Sequence, residues 1–359
     1  MIEADDLKAA VAAGTITERQ AAQLSALAHA RSGARTGLRP GDEPFELFRG
    51  FNEIFIVVGL VILAFGWSSV AGIAVAAGGG GNFFTGGLIA SGITAAVIWA
   101  LAEYFTRRRR MVAPSIALAL FWAGNAVAFF SLAFSQPFMV AQADYSSLPI
   151  PMALATLALL GYWARFRVPF AMALIAVGAF ATAMVAAAAR AGTPETLDEV
   201  FLLSSGGPFA WITLLLGIVV FAVAMVFDMS DPHRVTRRSA QGFWLHVVAA
   251  PALVNTVALT LLSRETPAAN MMLFAVLVVF ALVAVVIDRR SFLIAAVGYS
   301  VTLGFAVFGT DGAAWSVLGL GIVLLLLGAF WERIRAGLLR LLGPVLPLNR
   351  LPPSSGVSE

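Results

Sequence analysis

Long apolar stretches separated by short polar ones set the pattern of this chain from Phe51 to Arg333. Most show neither the period of two of a half-buried strand nor the narrow stripe of a water-facing helix. They are apolar all round and close to 20 residues long, enough to cross a hydrocarbon core of about 30 Å. The pattern predicts ten spans, at 53–75, 83–105, 112–135, 149–164, 168–189, 208–228, 242–263, 270–287, 291–309 and 314–333. Flanking them are a polar segment at 1–30 read as a helical hairpin, a Gly-, Pro- and charge-rich linker at 31–47, and an Arg/Leu segment at 335–359. The expected fold is an all-α bundle of ten transmembrane helices (48–334), a small cytoplasmic hairpin before it, and an interfacial helix with a disordered tail after it.

The connecting charges test that count. Of the 23 basic residues, 21 fall on alternate connecting segments, and only Arg190 and Arg264 fall on the others. Cytoplasmic segments carry the excess of Lys and Arg, so both termini are expected in the cytoplasm. A miscount of one span would scramble the alternation.

Composition then removes whole classes of function. Hydrophobic residues make up 60% of the chain and charged ones 12%, against about a quarter charged in soluble domains. No cysteine is present, which excludes disulfides and thiolate metal sites, and the three histidines His29, His233 and His246 have no ligand spacing. No nucleophile–base pair can be assembled, so neither catalytic residues nor a cofactor are expected. The basic pI belongs to an arginine-rich face that meets anionic lipid headgroups, and nucleic acid is not an expected partner.

In the N-terminal segment Gly14 ends one helix, and Thr17 with Gln20 forms a capping box that opens a second. The segment either packs on its own bundle or serves docking or self-association. The pattern Gly14-x-Ile16-x-x-x-Gln20-Ala21 ahead of a Gly- and Leu-rich bundle resembles a group of bacterial inner-membrane proteins known as domains of unknown function. That resemblance implies a bacterial inner membrane and no assigned chemistry. The ten-span plan, N-in and C-in, is also similar to that of drug/metabolite-type transporters, built from two inverted five-span halves.

Polar residues within the spans are few. Glu103, Asp228, Asp288 and Glu332 end four outward-to-inward spans and are each followed by arginines, a repeated device for pairing at headgroup depth. Asn125 lies mid-span, as helix glue or as the lining of a cavity. His233, Arg234, Arg237 and Arg238 cluster in one loop that could grip an anion or headgroup. Pro251 is the one mid-span proline and should kink its helix. His246 and Asn255 are nine residues apart, half a turn out of phase. His246 is either a satisfied packing histidine or a gating or substrate contact.

The expectation is therefore a transporter or flippase-like protein moving a small or amphipathic solute without strong proton coupling. Its gating candidates are His246, Pro251, Asn255 and Asn125. The alternative is a non-catalytic membrane scaffold or assembly factor docking a partner through residues 1–30.

Overall fold

The computed structural model describes residues 4–17, 20–21, 24, 51–78, 83–136, 139, 144–194, 196–232, 234, 237–344 and 346–352. Regular structure among these residues is helical throughout: α1 (Ala4–Ala12), α2 (Phe51–Ala77), α3 (Phe83–Ala102), α4 (Ala113–Phe134), α5 (Pro149–Phe166), α6 (Ala171–Ala191), α7 (Pro208–Met229), α8 (Arg237–Leu262), α9 (Pro267–Ile287), α10 (Ser291–Ala329) and α11 (Trp331–Leu342). A π-helical turn, Glu103–Arg108, extends α3. Proline occupies the first turn of α4, α5, α7 and α9, where its missing N–H costs nothing and its fixed φ suits the helix.

Seven of these helices are long and apolar enough to cross a membrane, or eight if the bent pair at the C-terminal end counts as one span. Their outer faces carry large bare side chains, among them Phe51, Phe55, Ile62 and Phe65 of α2 and Met271 and Phe274 of α9. A belt of that size is untenable in water and natural in hydrocarbon, so the fold is that expected of an integral membrane protein. The expected fourth span is the 18-residue α5, whose Tyr-Trp and Arg165 dilute its apolar run.

The expected ninth and tenth spans are one helical segment, α10, 39 residues long. A straight helix of that length would part its ends by about 57 Å. Yet Arg290, just before α10, lies with its guanidinium 5.2 Å from the ring centre of Trp331, just after it. The segment therefore doubles back between its ends. A further change of direction, 80°, separates Val317–Ala329 from α11. The amphipathic helix thus begins at Trp331, with Trp331, Arg335, Ala336 and Leu339 on its buried face and Arg333, Arg340 and Leu341 exposed. Pro352, expected in a disordered tail, is buried, and its carbonyl accepts from Arg335.

Two cores fill the bundle. One, from α2 to α6, is built on Leu60, Ile98, Leu118, Tyr162 and Phe166. The Trp99 ring packs 4.9 Å from Phe166 and 5.3 Å from Trp122, and the Trp122 indole donates to the Ala158 carbonyl at 3.1 Å. The other, from α7 to α11, holds Leu253, Val254, Leu273, Leu277, Leu303 and Leu339. A smaller cluster joins them, with Met172 and Ala176 of α6 against Val220 and Ala224 of α7 and Leu245 and Ala249 of α8. Helix α8 is the central post of the second half, the most buried of the seven long apolar helices, whereas α2 is the least buried.

Pro251 does not interrupt α8, which runs unbroken for 26 residues. The proline is on the exposed side, and α8 is held against α7 on both sides of it. A Cβ at Gly217 would meet the side chains of Leu253 at 3.0 Å and Ala252 at 3.2 Å, so the two helices approach closely there. One lost ladder bond cannot open a helix clamped above and below.

Of the N-terminal segment, α1 ends at Gly14 (φ +70). The capping box is formed, with Thr17 N–H donating to Gln20 Oε1 at 2.9 Å and Gln20 N–H to Thr17 Oγ1 at 3.3 Å. The remainder of the expected second helix and the linker at 31–47 lie outside the described residues.

Asn125 bridges α4 to α3. Its amide donates to the Ser91 carbonyl at 3.1 Å, and its carbonyl oxygen accepts from the Ser91 hydroxyl at 2.9 Å. Asn125→Ala should lower stability by about 0.6–2 kcal/mol. In a double-mutant cycle with Ser91→Ala, thermal midpoints in detergent should give a coupling of similar size, and strict additivity would refute the bridge.

Candidate functional site

Buried charge collects at one end of the bundle, where α7 ends, α8 begins and α9 ends. Asp228, in the last turn of α7, receives both prongs of Arg289: Nε donates to Oδ2 at 2.9 Å and a terminal nitrogen donates to Oδ1. The same guanidinium donates to the Ser239 carbonyl on α8 at 2.9 Å. His246, fully buried one turn and a half into the apolar part of α8, places Nε2 2.9 Å from Asp228 Oδ2. An ionised carboxylate in an Arg fork only accepts, so Nε2 carries the hydrogen and the imidazole donates.

Beside it lies a second pair. Asp288 caps α9 in the left-handed conformation (φ 57, ψ 47), and its carboxylate is 2.9 Å from a terminal nitrogen of Arg234, whose other terminal nitrogen donates to the Asp288 carbonyl at 2.7 Å. The Trp331 indole donates to Asp288 Oδ1 at 2.7 Å. Each acid is thus held by an arginine from the other's segment: Asp228 by Arg289, and Asp288 by Arg234. This reciprocal clasp ties α7, α8, α9 and α11 with buried charge-assisted bonds, the strongest class available.

Clasping so closely requires Gly242. A Cβ there would collide with the Asp228 carboxylate and meet the Ala224 carbonyl at 3.3 Å. Glycine is needed here for close approach, since its φ is an ordinary helical one.

The neighbouring end of the first half is held differently. Glu53, at the start of α2, accepts from the backbone N–H groups of Val112 (3.2 Å) and Ala113 (3.0 Å) and so caps α4, a carboxylate placed on the positive end of a helix dipole. Glu103 pairs with Arg107 at 2.8 Å and Arg165 at 2.7 Å.

The residues singled out by sequence separate. His246 and Arg234 enter the clasp; Arg237 and Arg238 are exposed on the first turn of α8; His233 lies outside the described residues. Asn125 is bound to Ser91, Pro251 is exposed, and Asn255 is half-buried. Asp228, Asp288 and Arg289 were legible as span-end charges, yet their pairing joins residues 54 and 61 positions apart and has no local signature. Glu53 was overlooked because one acid at a span end reads as a flank.

No protein-family model, curated protein or solved structure matches the chain. Its reading therefore rests on its own geometry.

Chemically, the clasp offers no exposed nucleophile and leaves Asp228 and Arg289 engaged with each other. Breaking a buried pair strands a charge, so Asp228→Asn or Arg289→Met alone should destabilise by about 3–5 kcal/mol, whereas the double replacement Asp228→Leu with Arg289→Met should recover most of that. Gly242→Ala should cost about 1–3 kcal/mol by overpacking. Thermal midpoints in detergent check all three, and a double variant no more stable than the singles would count against the clasp.

Proposed function

We propose that the protein is a bacterial inner-membrane protein of ten passages whose task is non-catalytic: a scaffold that presents a rigid, arginine-rich cytoplasmic end to the headgroups and to a partner, with residues 1–30 as the docking element. The carrying observation is the distribution of polar groups. Asn125 inside the bundle is spent on a helix–helix bond to Ser91, while buried charge sits near helix ends, most of it around the clasp and the rest at Glu53.

The ten-passage count draws support from the chain's repeated return to that end. Glu53 meets Val112, Glu103 meets Arg165, Asp228 meets His246 and Arg289, and Trp331 meets Asp288. Eight passages from α2 to α9 and two limbs of α10 satisfy every one of these contacts.

A second reading, transport or flipping of a small or amphipathic solute, is favoured by the two cores. Five passages belong to each, and they meet through α6 against α7 and α8. An odd number of passages per half would give the halves opposite orientations, as in many transporters.

The absence of native cysteine makes the two readings separable. Single cysteines at Asn125, Asn255, Ser205 and Arg109 should be probed with a membrane-impermeant thiol reagent in intact and in opened cells. The scaffold reading expects Ser205→Cys to react from outside, Arg109→Cys to react only in opened cells, and the two mid-span positions to stay unlabelled. Labelling of both Asn125→Cys and Asn255→Cys would reveal an aqueous path and move the conclusion to transport.

A further inference from the structure

The ends of α3 and α5 gather positive charge. Four arginines at 107–110 end the first and Arg165 and Arg167 the second, and Glu103 binds one from each, Arg107 at 2.8 Å and Arg165 at 2.7 Å. The nearby Glu53 is turned to the amides of Val112 and Ala113.

Their geometry is specific. Arg167 lies over the Trp163 ring at 4.5 Å. Arg109 lies 5.6 Å from the centre of the Tyr104 ring, and its Nε donates to that hydroxyl at 3.1 Å. A guanidinium held against an aromatic ring is preorganised, and its planar fork suits two oxygens of a phosphate. Arg110 and Arg167 both sit at φ +53, left-handed positions following a helix where glycine is the easy choice. Two adjacent helix ends thus keep arginine against backbone preference. The underlying turn, Glu103–Arg108, is π-helical, a local widening common at functional sites.

We infer that the ends of α3 and α5 form a binding site for the phosphodiester headgroup of an anionic glycerophospholipid, gripped by Arg109, Arg110 and Arg167 beside Tyr104 and Trp163. Tyrosine and tryptophan belong at headgroup depth, which favours a lipid over a soluble phosphate. The inference rests on the membrane orientation proposed above, which the thiol labelling tests separately.

The test uses the full chain in neutral detergent, mixed with phosphatidylglycerol or phosphatidylcholine, and counts retained lipids by native mass spectrometry. Wild type should retain phosphatidylglycerol selectively. Arg110→Gly with Arg167→Gly relieves the left-handed backbone while removing two cations. It should fold and lose about twentyfold in phosphatidylglycerol affinity. Arg237→Gln with Arg238→Gln, on the same face, should retain the lipid. Should the glycine pair fail to fold, Arg109→Gln alone should lower retention about fivefold. The site is overturned if the glycine pair or, in its place, Arg109→Gln retains lipid as wild type does. It is equally overturned if the α8 control loses as much, or if excess inorganic phosphate displaces the lipid completely.

Discussion

Two carboxylates and two guanidiniums exchanged between segments hold the second half of this bundle together. Asp228 and Asp288 end helices that are adjacent in space and 60 positions apart in the chain, and each takes its arginine from the other's neighbourhood. Desolvating such groups costs several kcal/mol per ion, and the clasp offsets it with further bonds: Arg289 also reaches Ser239, and Asp288 also receives Trp331. That demand explains Gly242, since the carboxylate occupies the space a side chain would need. It also fixes where α9 can end and how α8 must start.

The rest of the half follows from this fixed end. With α7 and α8 drawn together at Asp228 and His246, their close approach continues to Gly217 against Ala252 and Leu253. A proline inside α8 is then tolerated as a missing bond on an outward face. The first half uses weaker means, aromatic packing around Trp99 and Trp122 and carboxylate capping by Glu53, and its outermost helix α2 leaves most of its surface exposed.

Sequence revealed this architecture unevenly. Helical class and most spans were legible because a row of 20 apolar residues has few alternatives. The capping box at Thr17 and Gln20 was legible because it is local. The clasp was half legible: the repeated acid-then-arginine ends drew notice, but local pairing describes Glu103 with Arg107 and misses the exchange between Asp228 and Asp288. Pro251 reads in sequence as a break, but a propensity argument cannot see the packing against α7, and α8 runs on through it.

The doubling back of α10 has a consequence for the order of synthesis. Asp228 leaves the ribosome 61 residues before Arg289, and Trp331, which completes the bonding of Asp288, follows 43 residues after that acid. The first half, with its own core, is complete before any of these partners exists. Both ion pairs can close once Arg289 has been made, but Asp288 lacks its indole donor until the last limb returns. Truncation between α9 and Trp331 would leave the two ion pairs in place but without the indole on Asp288 and the core side chains Leu303 or Leu339, so the C-terminal tenth of the chain acts as the closing stitch of its assembly.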